Sequence, residues 1–183
     1  SVQTGTTHGG VPMPDGTVAK VKLDFATLEQ LSAEARATYG LAGAVQHGAS
    51  TLPPEAFDRF PAVETAEVHL ATGFQNIVYE SPHLPADLKS RVYDHLRQAC
   101  RGEKKEGETE EQFLYKTRKK GFGPFKKDFW ELPPATLSAL GKELEGQFSF
   151  LFTKLNMAGT KALLNKYIPP VDVPLKAPRD LVV

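Results

Sequence analysis

Cysteine is nearly missing from this chain: Cys100 is the sole one among 183 residues. A single thiol forms no internal disulfide and no cysteine-based zinc cluster, so a reducing, intracellular setting is expected. No apolar run approaches the roughly 20 residues that a membrane-spanning helix needs. The polar start Ser-Val-Gln-Thr-Gly-Thr-Thr lacks the basic and apolar regions of a secretory signal, so a soluble, cytoplasmic protein is expected. Net charge is missing as well. Lys plus Arg and Asp plus Glu both total 22, so no global field draws the chain to nucleic acid or to an anionic membrane. There is no Walker-type phosphate loop, no Gly-x-Ser-x-Gly elbow and no Cys/His/Asn set for a nucleophile. Recognition must come from local sites.

Two such sites share one pattern. Thr-Gly-Thr-Thr-His8-Gly9-Gly10 and Ala-Val-Gln-His47-Gly48-Ala49-Ser50-Thr51 each place a histidine after a short β-like run and a glycine directly behind it. A histidine at a strand's carboxyl end aims its imidazole into a cleft, and the glycine lets backbone N–H groups approach a ligand closely. Neutral imidazole suits zinc, and a catalytic zinc usually takes three protein ligands with one position open. His8 and His47 supply two, so one is missing. His69, in Glu67-Val68-His69-Leu70-Ala71-Thr72, is a third candidate: it either points into the same cleft or is a hydrogen-bonded core residue. Gly48, Ser50 and Thr51 after one run, and Thr72 and Gly73 after the next, offer hydroxyls and amides to a phosphate; Ser50 and Thr72 equally suit helix caps.

The first part of the chain alternates β-like and helical patterns. Short strands are expected in the opening run and over residues 18–23, 43–47 and 65–72. Helices are expected over residues 27–39, capped by Thr27 with Gln30 and ended by Gly40, then through Phe57 and Phe60, and again from Gly73. This alternation predicts parallel βαβ units. From Pro82 the pattern turns helical. Leu84, Leu88, Val92 and Leu96 recur every four residues, residues 102–112 form a charged connector, and Leu137, Leu140, Leu144, Phe148, Leu151 and Leu155 mark a long amphipathic helix. The proline-rich end from Pro169 is expected to run extended. Residues 113–130 interleave lysines with Phe122, Phe125, Phe129 and Trp130, a pattern that also occurs in single-strand binders. The acidic connector balances their charge, so a docking segment and no nucleic acid is the expectation; His83 and His95 are read as ordinary packing or surface residues.

The His8-Gly9 and His47-Gly48-Ala49-Ser50 motifs and residues 67–72, in this order and at these separations, resemble class II, metal-dependent fructose-bisphosphate aldolases and their ketose-bisphosphate relatives. The resemblance is close over residues 1–80. The Gln112-Phe113-Leu114-Tyr115-Lys116-Thr117-Arg118-Lys119-Lys120 segment is similar to a subgroup with a long carboxyl-terminal tail.

The resemblance implies a (β/α)8 barrel enzyme that reversibly cleaves fructose 1,6-bisphosphate to dihydroxyacetone phosphate and glyceraldehyde 3-phosphate. It makes His8 and His47 two of the three zinc ligands, and makes Gly9, Gly48, Ser50 and Thr72 the holders of the phosphate of dihydroxyacetone phosphate. His69 stands where the family has an asparagine that binds the enediolate. Ala49 replaces a usual second glycine, and Ala71 a usual aspartate. At 183 residues the chain is short for a barrel of about 250. The expectation is therefore an α/β chain: the carboxyl-terminal part of the barrel, about three strands over residues 1–81, followed by a helical extension over 82–183. The remaining zinc histidine and the general acid/base aspartate would come from an amino-terminal half. A homo-oligomer is expected, and a non-catalytic assembly subunit is the competing reading.

Overall fold

The computed structural model describes residues 1–7, 9–15, 17–21 and 23–174. Its first helix, α1 (Phe25–Tyr39), starts where Asp24 accepts a hydrogen bond from the Thr27 N–H and stops at Gly40 in the left-handed conformation. The cap is thus Asp24, three residues before the expected Thr27, because a carboxylate is the better acceptor for first-turn N–H groups. Leu28 and Ser32 form its buried face while Leu31 is exposed. Ser32 is tolerated there because its hydroxyl accepts the Ala44 N–H at 3.2 Å.

Regular strand is brief. Strand β1 (Val45–Gln46) pairs in parallel with β2 (Glu67–Val68), Val45 opposite Glu67 and Gln46 opposite Val68. Val2 adds one parallel bridge on the other side of β1, donating to the Val45 carbonyl at 2.8 Å and accepting the His47 N–H at 2.9 Å. The expected barrel part with about three strands is therefore corrected: the described residues are 56% helical, with two short parallel strands among them. The causes are local. Gly5 takes φ +82°, which bends the opening run after its first bridge. Thr4 and Thr6, which scored as strand formers, turn their hydroxyls onto the side chain of Gln46. Among the described residues of the run at 18–23, Val18 makes an antiparallel bridge with Pro12 and no regular strand forms, and the run at 65–72 gives way to helix at Thr72.

Between the strands lie a 3-10 turn (Ala49–Thr51), a second (Pro54–Ala56) and α2 (Arg59–Ala62). Then come α3 (Thr72–Glu80), α4 (Ala86–Ala99), α5 (Glu110–Thr117), a 3-10 turn (Arg118–Gly121), α6 (Lys126–Trp130), α7 (Pro134–Lys154) and α8 (Lys161–Tyr167). The four-residue period of α4 buries Leu88, Val92 and Leu96 with Leu84 just before it. They pack with Tyr79, Phe113, Leu132 and Leu140, and Phe122, Phe125 and Phe129 close the cluster. The aromatics of residues 113–130 are therefore mostly core, with Trp130 left 70% exposed. A second cluster joins Leu28, Phe57, Phe60 and Val63 to Leu151 of α7. Each fully buried large side chain contributes about 1.5–3 kcal/mol, so α7, with Leu140 in one cluster and Leu151 in the other, ties the two together.

The α7 stripe is only partly covered, since Leu137 and Phe148 are exposed. No helix among the described residues is long and apolar enough to cross a membrane. The stretch from Pro169 to Pro174 has no regular structure, and the rest of the expected tail lies outside the described residues.

Candidate functional site

Each short strand delivers a histidine. His47 follows β1 and His69 follows β2, and the parallel register brings the two imidazoles together, with ring centroids 4.3 Å apart and planes at 54°. His69 is not a core residue: its side chain is 46% exposed and its Nε2 pairs with Glu67 Oε1. That pairing orients the ring and leaves Nδ1 for another partner.

The backbone behind His47 is built for close approach. Gly48 has φ +71°, and a Cβ there would sit 2.8 Å from Thr6 Oγ1 and 3.0 Å from the Thr7 carbonyl oxygen. Beneath it, the fully buried Gln46 side chain accepts from Thr4 Oγ1 at 2.9 Å and donates to Thr6 Oγ1 at 3.0 Å and to the His47 carbonyl at 2.7 Å. Thr6 Oγ1 in turn donates to the His47 carbonyl at 2.7 Å. One buried amide therefore fixes the opening segment against β1, because any group it released would be left without a partner.

A cleft of about 410 Å3 opens over these groups, lined by Gly9, His47, Gly48, Ser50, His69, Leu70, Ala71 and Thr72. It gathers six of the seven site residues named from sequence; the seventh, His8, lies outside the described residues. The two capping alternatives resolve differently. Thr72 is the first residue of α3 and the N-cap is Ala71, which has no side-chain cap bond. Ser50 Oγ accepts the Ala71 N–H at 2.7 Å, so its own hydrogen is directed elsewhere.

As a metal site the described residues supply part of a donor set. The two imidazoles are the right chemistry for zinc. Among the described residues, no three His, Cys, Asp or Glu side chains converge to hold an ion, so His47 and His69 fit a zinc site only if a further ligand joins them. Cys100 is buried, and burial pushes its thiol up from the ordinary range, which disfavours the thiolate.

The helical part contributes residues that the sequence placed in the tail segment and not at the site. Tyr115 Oη donates to the Gly9 carbonyl at 2.9 Å, and Gln112 Nε2 donates to the Pro12 carbonyl at 2.7 Å. Gln112 also closes the capping box of α5 with Thr109, a Thr-x-x-Gln spacing that is legible in the sequence. A second cavity of about 260 Å3 adjoins the first, sharing Gly9 and Thr72 and adding Gly10, Gln75, Tyr115, Lys116 and Lys119. His83 and His95 stay apart, His83 beside Glu143 at 3.9 Å and His95 against the Phe125 ring.

No protein-family model, curated protein or solved structure matches the chain.

Proposed function

We propose that this chain contributes to a zinc-dependent aldolase site for a phosphorylated ketose, with fructose 1,6-bisphosphate as substrate and dihydroxyacetone phosphate as the product held here. The observation that supports this most is the 4.3 Å pairing of His47 and His69 in one cleft with Gly9, Gly48, Ser50 and Thr72. Few chemistries need imidazoles beside a wall of glycine amides and hydroxyls; a ligand carrying both a carbonyl and a phosphate does.

In this reading His47, with His8, holds the metal, and the third ligand and the proton-transferring carboxylate come from a complementary polypeptide segment. Bound zinc supplies Lewis-acid polarisation of the ketone and stabilises the charge that develops on carbon–carbon cleavage. His69, whose Nε2–H is held by Glu67, would donate toward the same oxygen from Nδ1 as the doubly protonated ring. Gly48 and Ser50 bind the phosphate through backbone N–H and hydroxyl, with Thr72 at the start of α3 adding to them.

Zinc titration of the chain with its complement, together with chelator-sensitive cleavage of fructose 1,6-bisphosphate, tests this. His47→Ala should abolish metal uptake and cleavage together. Unchanged metal content in that variant, or full cleavage after exhaustive chelation, overturns the reading.

A non-catalytic assembly subunit is the second reading. It is favoured by Ala71 and His69, which depart from the family pattern, and by the exposed apolar residues Phe148, Phe152, Leu163 and Leu164 on α7 and α8. A tight native complex with neither zinc nor turnover would select it.

A further inference from the structure

We propose that Lys119, in the smaller cavity beside the histidine cleft, is the counter-charge of a phosphate group seated where the two cavities meet at Gly9 and Thr72. The inference rests on the ketose-phosphate reading for the class of ligand, and on the cavity itself for the anion. Among the described residues, no lysine or arginine lines the histidine cleft, whereas a phosphate monoester carries a charge of about −1.5 to −2 at neutral pH. Backbone amides and hydroxyls alone leave that charge uncompensated. A place to compensate it lies across Gly9 and Thr72, the two residues that line both cavities.

The two lysines of the smaller cavity differ in one respect. Lys116 is ion-paired with Glu108, whose side chain is only 9% exposed. Lys119 has no ion-pair or hydrogen-bond partner among the described residues. The neighbouring carboxylate Glu80 is matched by Arg118 at 2.9 Å. With Lys116 answered by Glu108, the charge left among the described lining residues is the positive charge of Lys119. Its backbone is well held, because Lys119 sits in the 3-10 turn beside the buried Arg118. The Thr72 hydroxyl and the Gln75 side-chain amide, neither bonded to another described group, complete the donors. Tyr115 serves as wall, since its hydroxyl is committed to Gly9.

The test is a titration of the metal-free full chain with inorganic phosphate at constant ionic strength, followed by backbone amide NMR. Saturable shifts are expected at Thr72, Gln75 and Lys119. Lys119→Gln should weaken the apparent affinity by about tenfold or more, the size of one lost charge-assisted hydrogen bond. Lys127→Gln, on exposed α6, should leave it unchanged. Linear, non-saturating shifts, or a Lys119→Gln titration that overlays the wild type, would mean an adventitious ion only and would overturn the site. Displacement of inorganic phosphate by dihydroxyacetone phosphate supports the phosphate-monoester ligand, and no displacement overturns that ligand class. A chain that binds phosphate but never takes up zinc would break the aldolase reading and leave this site standing.

Discussion

The Tyr115 hydroxyl and the Gly9 carbonyl oxygen are 2.9 Å apart, a hydrogen bond between residues 106 positions apart in the chain. Through it, α5 holds the glycine turn that rims both cavities. Tyr115 is itself held: Asn76 Nδ2 donates to its hydroxyl at 3.2 Å, and the Arg118 guanidinium lies 4.6 Å over its ring. A residue from the helical part thus sets the position of a loop from the opening segment. The site is a joint product of the two.

Tyr115→Phe removes that hydrogen bond and the longer one from Asn76 while keeping the ring. The Gly9 carbonyl loses its donor at a partly buried place, so a loss of about 1–1.5 kcal/mol is expected. Urea unfolding should show a lower midpoint at an unchanged slope. Combining it with Asn76→Ala should give less than the sum of the two single losses, because both act on one network. A wild-type midpoint in Tyr115→Phe would show that the contact does not anchor the loop.

The contrast between what was legible in the sequence and what was not follows from the range of the forces involved. The α4 stripe is a local, 3.6-period pattern, and its buried residues Leu88, Val92 and Leu96 are those the spacing names. The six described site residues were legible because each sits within a few positions of a histidine, glycine or hydroxyl motif, and the parallel pairing of β1 with β2 carries them to one cleft. Strand content was not legible. Threonines at 4 and 6 look like strand formers, but their hydroxyls satisfy Gln46, 40 and more positions away, and no local pattern reports such a partner. Tyr115 and Lys119 were invisible as site residues for the same reason, since only tertiary packing brings them beside Gly9 and Thr72.

Gly48→Ala should be costly in a way that an ordinary glycine substitution is not. An alanine at φ +71° costs about 1–2 kcal/mol in backbone strain alone. The added Cβ would also meet Thr6 Oγ1 at 2.8 Å, pushing on the threonine that Gln46 holds. Gly123→Ala is the control, because a Cβ there meets nothing within 4 Å. Thermal unfolding should place the Gly48 variant several degrees below the wild type and the Gly123 variant beside it. Equal midpoints for the two variants would remove the argument that Gly48 is set by close approach.

Acid should loosen α5 before it loosens α1. Three carboxylates around α5 are held below the ordinary value of 4.5. Glu103 is lowered first by its hydrogen bond from Lys120; Glu110 is lowered by Arg97 and then by Lys104; Glu108 is raised by burial, but its hydrogen bond from Lys116 and its bond to the Lys105 backbone outweigh this. A carboxylate whose folded pKa lies below its unfolded one contributes stability above the unfolded value and loses it as pH falls through the folded value. The window therefore opens near pH 4.5 and extends downward. Since Glu103 and Glu110 are exposed enough for salt to screen them, the effect should shrink at high ionic strength. Hydrogen exchange, corrected for intrinsic rates, should show the Phe113 and Leu114 amides losing protection on acidification while those of α1 keep theirs. Because α5 carries Tyr115, phosphate binding at the neighbouring cavity should fall over the same window. Protection lost first in α1, or retained in α5 well below that window, would show that these ion pairs do not hold the helix against the site.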